Sequence, residues 1–418
     1  MISQDLLGWF ALLIIILGTL LISKKNLFIK NFLLTAVILR SIFVILDQYL
    51  ITLPDSTGDA LLFEEKAFLY SEEYGLGIIS TINQLDSFFI SKFISIFYTI
   101  FERSPMLAKM LSVGFGTGSV FLIYKLCFII WGSRVALKAG WVAAIFPSFI
   151  LYSSLILREV YVIFFLTYAL IGCVNFISNS NLNSLVRAFF GFVIAGLFHG
   201  PIIIGFFIFS IYACLRILRQ NNFFLRFKKK NLKLIFFLPI MTLPLLPFFS
   251  GYYSIPKIGN LKNFDNFNLK KNTQIVNFKE KIILKINKAT RSLGQSEHGA
   301  SYPNWTIPKN LKELIFLIPV RMFYLLYAPF PWDIKKVEHI IGLLDAFLYF
   351  CLSYYIYLNK KNLFNNPQTF FLILIFLLYI LVYSFGVGNF GTGLRHRLKF
   401  ISLAIVLAGS KLPRFKFF

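Results

Sequence analysis

Apolar runs of roughly 16 to 25 residues recur from end to end of the chain, each long enough to cross a ~30 Å hydrocarbon core as a helix. Short polar segments rich in Lys, Asn and Gly separate them. In lipid, a backbone without water must satisfy its own hydrogen bonds, which favours helices for runs of this length. Eleven spans fit, at 7-23, 31-52, 106-131, 138-154, 160-178, 186-199, 201-216, 234-250, 340-358, 367-385 and 398-411. The fold predicted is all-α, a polytopic transmembrane helical bundle of about 11 spans.

Two further apolar stretches, 90-101 and 311-332, resist this scheme. Counting either as a crossing would invert every later loop, so both are assigned as interfacial or re-entrant helices. Three parts result. Residues 1-250 form an N-terminal transmembrane module whose first outer loop is 53-104. Residues 251-339 form a large outer loop, and 340-418 a C-terminal transmembrane module.

Composition agrees: 57% of the residues are hydrophobic and 14% charged, with a mean hydropathy of +0.73, which excludes a soluble globular domain. The 42 Lys and Arg against 18 Asp and Glu give a net charge of +24. In a soluble chain this would suggest nucleic acid. Here most of it falls in alternate short loops and sets topology, with the N-terminus outside and the C-terminus inside. The dense run from Arg216 to Lys233 reads as a topology anchor. MISQD lacks the basic region of a signal peptide, so 7-23 is expected to stay as a membrane helix. The four cysteines lie apart in apolar segments and read as core residues, with no metal-ligand spacing. No phosphate-loop or dinucleotide fingerprint occurs, and the glycines of GFGTGS suit close helix packing.

The carboxylates are unevenly placed. Six of the 18 fall between Asp55 and Glu73, in the first outer loop, and the topology puts His199, His298, His339 and His396 on the same outer face. Chemistry is therefore expected there. Asp59, behind the turn-forming PDST and Gly58, suits a general base on a short interfacial helix, where it would share a face with Phe63 and Ala67. It also suits a helix cap, and for Asp55 the cap is the favoured use. Arg158-Glu159 sits in a tight outer turn, where Arg158 would bind phosphate and Glu159 orient it or an acceptor, unless the two merely pair with each other. GTGLRHRLKF sets Arg395, His396, Arg397 and Lys399 at the outer boundary, against the charge rule. A lipid-linked phosphate would explain them; so would snorkelling to headgroups. Arg321 follows the same logic, and His199 in GLFHGP is favoured as a structural histidine.

The series PDSTGDALLFEEKA, FERSPMLAKMLSVGFGTGSVFLIYKL and WGSRVALKAGWVAAIFPSFILYSSLILRE resembles bacterial membrane glycosyltransferases of the GT-C class, in the dolichyl-phosphate-mannose mannosyltransferase-like group. The resemblance covers the first half of the chain. Asp59-Ala60-x-x-Phe63-x-x-x-Ala67 partly matches that group's acidic motif, with Ala60 standing where a second carboxylate is usual. It implies an inverting sugar transfer from a polyprenyl-phosphate-linked donor to a glycan, lipid or protein acceptor, on the outer face of a bacterial cytoplasmic (inner) membrane. Asp59 would be the base, and Asp55 and Glu159 candidate catalytic companions. Phosphate would meet Arg158, Arg321, Arg395, His396, Arg397 and His199. The expected partners are lipid-linked sugar, acceptor and membrane lipids, with no nucleic acid. No cofactor is expected, and a divalent metal has no support from spacing. Two rivals stand beside this reading: a polymerase of undecaprenyl-pyrophosphate-linked repeat units in O-antigen or exopolysaccharide assembly, and a lipid-linked sugar flippase.

Overall fold

A computed structural model describes residues 2–24, 26–81, 87–220, 300–306, 308, 311–336 and 338–413. The described residues are helical, with no strand among them; a lone antiparallel bridge joins Ser301 and Asn389. The chain is an all-α bundle. Six described helices are long and apolar enough to cross a membrane. They lie within α1 (Ile2–Ser23), α2 (Leu27–Tyr49), α5 (Pro105–Trp131), α8 (Arg158–Asn179), α12 (Glu338–Leu358) and α14 (Pro367–Gly386). The expected span 234-250, the run Arg216 to Lys233 beyond Gln220, His298 and most of the 251-310 loop lie outside the described residues.

Other expected spans take shorter forms. Residues 138-154 break into α6 (Ser133–Ile145) and α7 (Pro147–Tyr152), because Pro147 has no amide proton to continue the ladder. α9 (Leu182–Phe198) has 17 residues, and α10 (Ile204–Gln220) follows it after a 3-10 turn. Of 398-411, only α16 (Ile401–Ala408) is α-helical. The two non-spanning stretches become α4 (Phe89–Phe101) and α11 (Leu311–Tyr327), the latter with Pro319 inside it.

α8 is the axis of the described bundle. It packs along α9 and α5, with further contacts to α14 and α16. The α8–α9 pair approaches closely because both helices present glycine at the crossing: a Cβ on Gly172 would lie 2.6 Å from the Ala188 nitrogen, and one on Gly191 would lie 2.8 Å from Ala169. The glycines of GFGTGS behave as expected, with Gly116 against Ser153 and Gly118 against the Phe164 ring.

Two charges sit inside spans that hydropathy alone passes over. Arg40 of α2 is fully buried. The Pro147 break strands the last carbonyls of α6, and Arg40 donates to those of Ala143 and Ala144 at 3.5 and 3.2 Å, beneath the Phe149 ring. Asp345 of α12 is likewise fully buried and accepts from Ser148 of α7. Gly172→Leu should drive a side chain into the α9 backbone and cost about 1–3 kcal/mol. The expected readout is a lower thermal midpoint for the detergent-solubilised protein, and an unchanged midpoint would contradict the crossing described.

Candidate functional site

The site begins where α2 ends. Asp47, in the last turn of α2, has a buried side chain whose carboxylate accepts from the Leu53 amide and the Ser56 hydroxyl, both at 2.9 Å, and from Lys109 at 2.8 Å. This carboxylate folds the following PDST into a compact turn. Asp55 then takes a left-handed conformation, φ 65°, which Asp tolerates better than most residues. Ser56–Ala60 forms a wide π-type turn, kinked at Gly58, that leads into α3 (Leu61–Tyr74). Phe63 and Ala67 are buried while Asp59, in the turn before α3, is half-exposed, so the three do not share the one helix face expected; Glu64 also turns inward, accepting from Tyr98 at 2.9 Å and from Arg103 at 2.7 Å.

The second part comes from the C-terminal third. Residues 300–302 run back beside 388–390, with Tyr302 N donating to the Gly388 carbonyl and Phe390 N to that of Ala300. Asn389 caps α15 (Phe390–Leu398) by accepting from the Thr392 amide at 2.7 Å. Successive helical residues turn by about 100°, so Arg395 and Lys399 fall on one side while Arg397 points to the other. Arg395 spans two carboxylates, reaching Asp59 at 2.8 Å and Glu159 at 3.4 Å. Lys399, in the turn after α15, reaches the same Glu159 oxygen at 3.4 Å and His396 Nδ1 at 3.0 Å.

Around this core Asp55, His199, His396 and Arg158 of the predicted residues also gather. Tyr152 donates to Asp55 at 2.7 Å. The His199 ring lies 5.5 Å from that of His396 and stacks on Tyr383 at 5.6 Å. The Arg158 guanidinium sits 5.9 Å from the centre of the Phe63 ring. Its buried Nε and the second oxygen of Glu159 have no hydrogen-bond partner among the described residues. Buried polar atoms are nearly always paired, so these two are groups that a ligand or a water would satisfy. Burial works against the charge of Arg395, but Glu159, Asp59 and Asp55 outweigh it and hold its pKa above the ordinary guanidinium range. The Arg103 pKa is raised too, mainly by its hydrogen bonds to Glu64.

Asp59 keeps 47% of its side chain exposed, whereas Glu159 keeps 1%. One carboxylate of the pair is therefore open to a ligand and the other is a fixed base plate. Neither Asp59 nor Asp55 spends its side chain on capping a helix, which corrects the cap favoured for Asp55. Nor do Arg158 and Glu159 pair with each other; Glu159 holds Arg395 and Lys399 instead.

Two predicted phosphate ligands fall outside the site. Arg397, fully buried, pairs with Asp345 at 2.6 Å and donates to the carbonyls of Leu326, Ala328 and Gly342. Helical period separates it from Arg395, so the two cannot grip one phosphate. Arg321 spends its guanidinium on the carbonyls of Thr306, Ser384 and Val387, the last two closing α14. His339 accepts from the Lys335 amide and packs edge-on against Phe390, apart from the two converging histidines. Among the described residues, no three His, Cys, Asp or Glu side chains form a group that could hold a metal ion.

Sequence reading passed over Asp47 and Tyr152. A carboxylate in the last turn of an apolar span is a signal for Asp47; Tyr152, one tyrosine among 20, carries none. Comparison with protein-family models, curated proteins and solved structures returns no match.

The two arginines can be told apart by stability. Arg397→Met leaves Asp345 buried without its cation and should cost about 3–5 kcal/mol. Arg395→Met leaves Glu159 its Lys399 partner and should cost less. Denaturant titration of both variants in one detergent checks the order, and an equal or reversed loss would refute it.

Proposed function

We propose that the protein is a membrane glycosyltransferase, moving a sugar from a polyprenyl-phosphate-linked donor to a glycan, lipid or protein acceptor at the outer face of a bacterial cytoplasmic membrane. The observation that carries this reading is the half-exposed Asp59 carboxylate held on Arg395, whose other arm rests on buried Glu159. A base and an anion-binding cation stand within one contact of each other, at the rim of a bundle able to hold a long lipid. The partial match of Asp59, Phe63 and Ala67 to the first-loop motif of GT-C enzymes adds to it. The finer topology of about eleven spans, with this rim outside, belongs to the same proposal.

In the reaction so read, the acceptor hydroxyl approaches Asp59. As its oxygen bonds to the anomeric carbon, the proton passes to the Asp59 carboxylate, and the bond from that carbon to the phosphate oxygen breaks with its electron pair. The polyprenyl phosphate leaves with the added charge. Arg395 releases Asp59 and turns to that phosphate, where a guanidinium fork matches the oxygens. Lys399 keeps Glu159 neutralised throughout, so Arg395 can move without stranding a buried charge. Glu159 is then a positioning residue, and so is Asp55 through Tyr152.

The polymerase reading drew on a pair of outer-face arginines, and the burial of Arg397 on Asp345 leaves that pair incomplete. A ladder of products would nevertheless favour it, one added sugar favours the transferase, and sugar movement without bond formation a flippase.

Asp59→Asn keeps size and hydrogen bonding but removes the base. In membranes supplied with radiolabelled polyprenyl-phosphate sugar, transfer should fall by about 10²-fold or more, while gel filtration shows an intact protein. Wild-type transfer by this variant would refute the assignment. Arg395→Met should lower turnover by a similar factor, about 10²–10³-fold, through loss of leaving-group stabilisation.

A further inference from the structure

Beside the Asp59 turn lies a half-open cavity of about 210 Å³. Two ion pairs face it, Lys109 with Asp47 and Arg103 with Glu64, together with Ser56. The rest of its lining is apolar and includes Leu61, Pro105 and Ile156. Its position is set by the site: Ala60 and Leu61 follow Asp59 directly, and Leu155 and Ile156 lead into Arg158-Glu159.

The charges decide what it can hold. Each cation is already neutralised by a carboxylate at 2.7–2.8 Å. An anion would meet two carboxylates as well as two cations, and a cation the reverse. A neutral group with hydroxyls meets no such conflict. It can donate to lone pairs left on Glu64 and Ser56, and accept from protons that Lys109 and Arg103 still have to give. The apolar wall suits the C–H face of a ring. The volume is below the range of about 300–1,000 Å³ usual for drug-sized ligands, which leaves room for one ring.

We propose that this cavity is a subsite for a single neutral sugar ring, the acceptor residue whose hydroxyl is presented to Asp59. The proposal rests on the transferase reading for the word acceptor, and on the cavity alone for the sugar. Asp47 thereby serves twice, folding the turn that carries Asp59 and lining the place where the ring sits. Arg103 and Lys109, which introduce α5, are the specificity-determining side chains.

The test uses the full chain in lipid nanodiscs and an n-octyl glucoside bearing a diazirine on its sugar, below its micellar concentration. After irradiation, mass spectrometry should find the label on peptides containing residues 56–64 or 103–109. Ala60→Phe fills the cavity without touching an ion pair and should cut that labelling about tenfold, equivalent to about 1.4 kcal/mol. Leu61→Trp, at a half-exposed position, does the same where Ala60→Phe fails to fold. Label elsewhere, label indifferent to both substitutions, or label displaced by inorganic phosphate and not by unmodified octyl glucoside would each overturn the subsite. Asp59→Asn should label like wild type. Labelling that persists in a protein without transfer activity refutes the transferase and keeps the subsite. Transfer without labelling does the opposite.

Discussion

A carboxylate buried among apolar helices must be neutralised, and Glu159 at the start of α8 imposes that requirement on the rest of the molecule. Its partners come from far along the chain: Arg395 is 236 residues away, and Lys399 follows on the next turn. To satisfy one acid, the C-terminal third has to fold back against the N-terminal half. Arg395 then passes the constraint outward to Asp59, across 336 residues of sequence. The Asp59 turn is thus held in place by electrostatics, while α8, α9 and α5 supply the apolar mass around it.

The short helix α15 makes this work because its two sides have separate duties. Arg395 faces Asp59 and Glu159. Arg397, two residues on, is locked to Asp345 and three carbonyls, and so anchors the helix to α12 and α11. The cation that meets Asp59 and Glu159 is therefore backed by a fixed ion pair on the opposite face of the same nine residues.

Much of this was legible beforehand. Long apolar runs announced the bundle, and Asp59, Glu159 and Arg395, which the fold brings into one contact cluster, were named from local context alone. The failures share a cause. Arg321 and Arg397 look like Arg395 in one dimension, because a run of basic residues does not reveal which carbonyls a broken or ending helix leaves open. Those acceptors are created by Gly386 and by the chain around Ala328-Pro329, and only the packed structure brings them to the guanidinium groups. Asp47 was missed for the converse reason: its work is on backbone amides of the next turn, which no motif records.

Arg40 carries a consequence for how the chain sits in the bilayer. The carbonyls it covers belong to another helix, and an uncovered carbonyl in hydrocarbon costs several kcal/mol. Arg40 alone in lipid would be costlier still. α2 and the α6–α7 break therefore each carry a polar group that is costlier in lipid without the other, and the two segments are matched as a pair although about a hundred residues separate them.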